Sequence, residues 1–272
     1  MTSLPDTHSL KLSLNAGWLS VTLNEPSTRN ALTDRLSAEL NAVFLAVRND
    51  RTVRGISVRG EGGVFCAGGD LKAFRALSEL SDTKAYDQSR QTSLGGAELF
   101  EHVHRAPQVV VALIEGAAMA GGLGMACAAD FVLATRDAQF AFTETRIGLA
   151  PAQIAPYVMQ RTGPSVARRL LLLGERFDGT QAHEFGLIDA LADDRTELDL
   201  LERALKEKVG QCAPGAVGVT KRVLSHLVHS DHDAFKTWAA ERFAECVTSE
   251  EGREGTRAFF DRRAPAWQSS ST

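Results

Sequence analysis

The chain predicts an α/β fold with parallel strands that passes into an all-helical C-terminal region, and three observations predict it. Short apolar runs of strand length alternate with helix-periodic segments along the first part of the chain. Glycine-rich turns follow two of the most apolar of those runs. From about Glu197 onward only helical periodicity remains, with no low-complexity linker before it. At 272 residues the chain can bury a full core as one large domain, or as one domain with an appendage.

The elements follow in order. "LKLSLNAGWLSVTLN" (10–24) alternates apolar and polar residues around Asn-Ala-Gly, which predicts a hairpin. "TDRLSAELNAVFLAVRND" (33–50) has helical periodicity behind a Thr-Asp start, and "VRGISVRG" (53–60) reads as a strand. In "VFCAGGDLKAF" (64–74) a strand runs into Ala67-Gly68-Gly69 and then into a helix opened by Asp70. Residues 85–106 read as a helix, "QVVVALIEG" (108–116) as a buried strand, and "AMAGGLGMACAADF" (118–131) as the start of a helix built from very small residues. "DFVLAT" and "AQFAF" add short strands within 130–142. The tail supplies the helices "ELDLLERALKEKVGQC", "AVGVTKRVLSHLVH" and "DAFKTWAAERFAECVTS".

Charge and cysteine use narrow the function. A net charge of -4 with interspersed signs offers no basic footprint for nucleic acid. The N-terminus lacks the basic and apolar regions of a signal peptide, and no run is long enough to span a bilayer, so a cytoplasmic protein with no membrane partner is expected. Cys66, Cys127, Cys212 and Cys246 lie far apart with no CxxC spacing; they are expected to be small core residues rather than zinc ligands or disulfide halves. His102 and His104 are two apart on a helix and do not share a face. His226, His229 and His232 have helical spacing but no completing carboxylate or thiol, so they read as surface or interface residues and no metal is expected.

The chemistry concentrates in the two glycine turns. Without side chains, each lets a ligand oxygen approach backbone N–H groups at a helix start, and two such turns could aim one N–H each at a single oxygen. Packing of helix on strand is the plainer use of the same glycines. A dinucleotide site is disfavoured, because after Gly122 and Gly124 the third glycine of the fingerprint is replaced by Cys127. No GxSxG elbow and no GxxxxGK[ST] loop occurs.

Taken in order, "NEPSTRNALT" (24–33), "GGVFCAGGDLKAF" (62–74), "IEGAAMAGGLGMACAADFVLATRDAQFAFTETRIGLAP" (114–151), "LLLLGERFDGTQAHEFGLIDAL" (170–191) and "EGTRAFFDRRAPAW" (254–267) resemble the crotonase superfamily, the enoyl-CoA hydratases and isomerases. The resemblance implies a crotonase-like spiral of ββα units over 1–196 and a C-terminal helical region over 197–272 that serves oligomerisation and covers CoA. It implies an acyl-CoA substrate, no separate cofactor, and a homotrimer or dimer of trimers. It also implies that the N–H groups of Gly69 and Gly121 form an oxyanion hole, and that Ala67, Gly68, Asp70, Leu71, Gly122, Gly124 and Gln153 line the substrate site. On this reading the side chains are missing because the thioester occupies their space.

Of the family's two acid/base glutamates, the resemblance implies that one is present. The second falls on Glu144, in a cleft expected to be lined by Phe140, Phe142 and Ile147, which would raise its pKa. The first falls on Gly124, and the gap is expected to admit a water. A lone Glu fits a Δ3,Δ2-enoyl-CoA isomerase. The run "TETRIGLAPAQIAPYV" (143–158) instead resembles the methylglutaconyl-CoA and isohexenylglutaconyl-CoA hydratases, which implies hydration of a 3-branched glutaconyl-CoA. Gln153 is then a candidate partner for the second carboxylate, and Arg146 fits a structural role at least as well. A non-catalytic acyl-CoA or RNA binding protein is the alternative from another class. For the tail, Phe259 and Phe260 read as core and Arg262 and Arg263 as surface, unless they close over CoA.

Overall fold

The computed structural model describes residues 3–77, 79–227 and 232–268. Strands β1 (Leu10–Asn15) and β2 (Trp18–Leu23) form the expected antiparallel hairpin. Ala16 and Gly17 close it with positive φ, as a tight turn matching the strand twist requires. Helix α1 (Asp34–Val47) begins at Thr33, whose hydroxyl accepts the Leu36 N–H, and it buries Leu36, Leu40, Val43, Phe44 and Val47 along one face. Strand β3 (Gly55–Gly60) then pairs in parallel with β2.

From here each pair of strands divides between two sheets. The chain runs through β4 (Val64–Cys66), α2 (Leu71–Leu77), α3 (Asp82–Arg105), β5 (Val109–Ile114), β6 (Ala117–Met119), α4 (Ala120–Ala128), β7 (Phe131–Thr135), β8 (Gln139–Ala141), α5 (Ala155–Leu173), β9 (Phe177–Asp178), α6 (Gly179–Glu184) and β10 (Ala190–Ala192). The large sheet has the order β1-β2-β3-β5-β7-β10, and the small one β4-β6-β8-β9. Thus β3, β5 and β7 enter the large sheet, while β4, β6 and β8, which follow them, enter the small one. A helix returns the chain for the next turn, giving a crotonase-like spiral of ββα units. Helix α5 is broken where Gly163 leaves helical geometry ahead of Pro164.

One apolar core fills the space between the two sheets and their helices; Leu19, Ile56, Phe65, Ile114, Phe140 and Phe142 lie wholly inside. A second, smaller one joins Trp18, Val109, Val111, Leu113 and Leu133 of the large sheet to Leu198 and Val209 of α7 (Arg195–Gly210). Beyond it come α8 (Pro214–Leu227), α9 (His232–Thr248) and α10 (Glu250–Phe260). Arg54 fastens this region to the sheet, reaching the carbonyls of Val209, Gly210 and Cys212 at the end of α7 and that of Trp267 in the tail.

Several expectations are corrected. Cys66 and Cys127 are core residues, but Cys212 is exposed and Cys246 half-buried on the helical region. Phe259 and Phe260 project into solvent, because α10 buries Ala258 instead. Among the described residues no helix is long and apolar enough to cross a membrane, and no cluster of His, Cys, Asp and Glu could hold a metal ion. His102 meets Asn41, His104 meets Ser225, and His226 stacks on Trp238; His229 and the His232 side chain lie outside the described residues.

Candidate active site

The register of the small sheet assembles the site. Cys66 of β4 is paired with Ala118 of β6, and Ala118 with Phe140 of β8, all in parallel. Three residues past the first two positions stand Gly69 and Gly121, and four past the third stands Glu144. Neighbouring strands are about 4.8 Å apart, so the three residues leave the same end of the sheet side by side, with Gly121 in the middle. That is the carboxyl end of parallel strands, where α/β folds place ligands.

The two turns touch. Gly68 has φ +90°, and a Cβ built on it would lie 2.8 Å from both the Ala120 Cβ and the Met119 carbonyl, and 3.5 Å from the Gly121 nitrogen. Ala120 itself sits at φ 48°, a left-handed conformation that costs a non-glycine residue roughly 1–3 kcal/mol and marks functional sites when it persists. A third segment holds the first turn in place. The Ala67 N–H donates to the Arg29 carbonyl at 3.0 Å, and the Leu32 N–H to the Gly68 carbonyl at 2.8 Å. Among the described residues the N–H groups of Gly69 and Gly121 meet no protein acceptor. Both are therefore free for a ligand oxygen.

Asn30 anchors that third segment and was not singled out by the sequence. It is fully buried at φ 55°, takes the Glu25 N–H, and donates to the carbonyls of Glu61 and Val64. Its signal was an asparagine, tolerant of left-handed backbone, between turn residues. Asp70 does open α2, accepting the Lys72 N–H at 2.9 Å, while Leu71 behind it is exposed.

Glu144 begins a 3₁₀ turn, Glu144–Ile147, closed by Gly148 in left-handed geometry. Its Oε2 is shielded from solvent and has no hydrogen-bond partner. Burial pushes the carboxyl above the ordinary carboxylate range, and its own backbone N–H offsets this only in part. The expected cleft wall differs: Phe140 and Phe142 are fully buried, with Phe140 stacked on Phe177, and Ile147 is 57% exposed. Arg146 turns away to the Leu173 carbonyl, a structural role.

The glycines do not all leave room for substrate. A Cβ on Gly122 would meet the Cys66 side chain at 2.6 Å. On Gly124 it would lie 2.6 Å from the Cβ of Ile154 and nearer still to its Cγ2. Ile154 is only 3% exposed, so the gap expected to admit a water is filled by protein. At Gly121, by contrast, a Cβ would meet only the ends of Leu32 and Phe100, at 3.4 and 3.7 Å, and at Gly69 only the Phe74 ring. Gln153, next to Ile154, donates to the Ser93 hydroxyl of α3 at 3.1 Å.

Free N–H groups on two touching turns, with a half-buried carboxyl leaving the same end of the sheet, suit an enzyme that grips a carbonyl oxygen while a single acid moves protons on the adjoining carbons. The chain belongs to the enoyl-CoA hydratase/isomerase family, whose model matches residues 13–270, within the crotonase superfamily. It is an enzyme of the enoyl-CoA hydratase type, a hydro-lyase, and its substrate is an acyl-CoA thioester. Its backbone is similar to that of Pseudomonas aeruginosa AtuE, with TM-score 0.91 and 41% identity, covering 96% of this chain and 100% of that one. An enoyl-CoA hydratase/isomerase from Marinobacter aquaeolei has TM-score 0.88 and 37% identity, covering 96% and 99%. The carnitinyl-CoA dehydratase of Proteus mirabilis is 30% identical over 268 residues, 96% of this chain and 99% of the relative.

Proposed function

We propose that the enzyme adds water across the α,β double bond of a 3-branched glutaconyl-CoA, such as 3-methylglutaconyl-CoA or isohexenylglutaconyl-CoA, with Glu144 as the one acid/base group. The half-buried Glu144 carboxyl, whose Oε2 is shielded from solvent and without a hydrogen-bond partner, is the observation that carries this reading. The Gly69 and Gly121 N–H groups hold the thioester oxygen and stabilise the enolate-like charge that develops there, each contributing on the order of 3 kcal/mol. Glu144 takes a proton from water as the water oxygen bonds to the β-carbon, and the α-carbon receives that proton in turn. A carboxyl with a raised pKa is suited to both halves of this transfer.

The 143–158 run supports the branched glutaconyl substrate, and Gln153 supports it by offering an amide to a second carboxylate. Exposed Phe243, Phe259 and Phe260 support assembly as a homotrimer or a pair of trimers, with the tail as a cover for CoA. The cytoplasm is the compartment in which we place this chemistry. Isomerisation between Δ3 and Δ2 enoyl-CoA is the second reading, and the Ile154 side chain packed on Gly124 favours it by removing a place for water. Turnover in ¹⁸O-labelled water of enoyl-, 3-methylglutaconyl- and isohexenylglutaconyl-CoA separates the two. Label on the β-hydroxyl of a glutaconyl product is expected; double-bond migration alone, across all three thioesters, would replace hydration with isomerisation.

A further inference from the structure

We propose that Ser93, through its bridge to Gln153, is a specificity-determining residue that reads a carboxylate carried on the acyl chain away from the thioester. The inference rests on the site and substrate class proposed above and adds a residue on a different helix.

The geometry runs outward from Gly121. Phe100 Cζ lies 3.7 Å from where a Gly121 Cβ would stand, and its Cε2 lies 3.8 Å from where a Gly96 Cβ would stand. The ring therefore leans back along α3, as long side chains on helices do. Ser93 is the next residue on that face, three before Gly96, about 4.5 Å further along the helix axis. On the opposite wall Ile154 seats on Gly124 of α4, and Gln153 precedes it. The Ser93–Gln153 hydrogen bond, at 3.1 Å, thus ties the two walls that flank the first turn of α4, roughly a turn beyond the Phe100 ring.

Along this line a Cβ on Gly96 would meet only Phe100, at 3.8 Å, although a glycine costs a helix interior about 1 kcal/mol relative to alanine.

The hydrogen-bond inventory then names the ligand group. Ser93 Oγ accepts from Gln153 Nε2, which leaves the hydroxyl hydrogen and the second amide N–H as unspent donors on bonded neighbours. Two adjacent donors match the two oxygens of a carboxylate. Arg146, the basic residue nearest Gln153 in sequence, is committed to the Leu173 carbonyl, and Arg90 stands one helical turn before Ser93 on α3, where its charge adds to the attraction for an anion.

The test compares kcat/KM for 3-methylglutaconyl-CoA with that for 3-methylpent-2-enoyl-CoA, in which a methyl group replaces the remote carboxylate. The wild-type chain is expected to prefer the former. Ser93→Ala should lower the ratio of the two by about tenfold or more, mainly through KM, because the site loses a donor that the charged group uses. Gln153→Leu should lower it likewise, and Ser93→Thr, which keeps the hydroxyl, should hold the ratio within about threefold of wild type. Ser93 is exposed on a helix, so alanine there keeps the fold. A wild-type preference that survives both Ser93→Ala and Gln153→Leu overturns the inference and leaves the substrate class standing. A wild-type chain that favours the uncharged thioester overturns the substrate class, and the inference falls with it.

Discussion

Gly124→Ala tests whether the space beside α4 is truly closed. On helix propensity alone this change stabilises, since alanine is favoured over glycine in a helix interior by about 1 kcal/mol. The structure opposes it. The new methyl would lie 2.6 Å from the Cβ of Ile154 and nearer still to Cγ2, and Ile154 is 3% exposed, so relief requires α4 and the start of α5 to part. Overpacking of this kind costs about 1–3 kcal/mol, and a backbone-anchored clash belongs at the upper end. The net expectation is a loss of about 2 kcal/mol, seen in thermal denaturation as a fall of roughly 4–8 °C. Ile154→Ala alone should cost about 2–5 kcal/mol through the cavity it leaves. In the double variant the alanine methyl at 124 occupies part of that cavity, so the combined loss should fall short of the sum by about 1 kcal/mol or more. A melting temperature that rises for Gly124→Ala, or losses that simply add, would refute the packing argument and return the gap to a solvent molecule.

Glu144→Gln should lower turnover by roughly 10²- to 10⁴-fold with acyl-CoA binding nearly intact, as measured by steady-state rates and calorimetric titration; near-wild-type rates would remove Glu144 from the chemistry. The same variant tests burial. With the folded pKa raised above the unfolded one, the folded state holds more protons in the interval between them, so Glu144 lowers stability as pH climbs through that interval and has no effect below it. Glu144→Gln should therefore be more stable than wild type at neutral pH and should converge with it below the ordinary carboxylate range, in denaturation followed across pH. Gly121→Val should fold, since its Cβ meets only side-chain ends, yet it should lose both binding and rate by covering the N–H; unaltered turnover would reduce that turn to a packing device.

Most of the large sheet was legible because its strands, the three-residue β10 apart, are five or six residues long. The hairpin at 10–24, α1 and β3 follow alternation and capping that single residues reveal, such as Thr33. The small sheet was legible only in part. The apolar runs of β4 and β8 read as strands, whereas β6 has three residues and β9 two, too few for any periodicity to register, and the division of 108–119 into β5 and β6 depends on Gly116 turning the chain. Gly69, Gly121 and Glu144 were reached through resemblance to a family, since nothing in spacing alone brings them together. What fills the space at each glycine lay beyond the sequence altogether. Cys66 against Gly122 and Ile154 against Gly124 are contacts between distant segments, and they turn residues that looked like room for substrate into parts of the core.

Because Gly69, Gly121 and Glu144 hang from three hydrogen-bonded strands at fixed counts, the proposed mechanism makes the number of residues in each spacer a functional quantity. One residue inserted between Cys66 and Gly69 would carry that N–H on by about 3.3 Å, more than the length of the hydrogen bond proposed for it. An insertion of the same size at Ser249, between α9 and α10, leaves all three counts untouched. A chain can thus keep every functional side chain of this site and still lose the site by a single insertion, which makes spacer length a sharper criterion than residue identity when relatives are sorted into active and inactive forms.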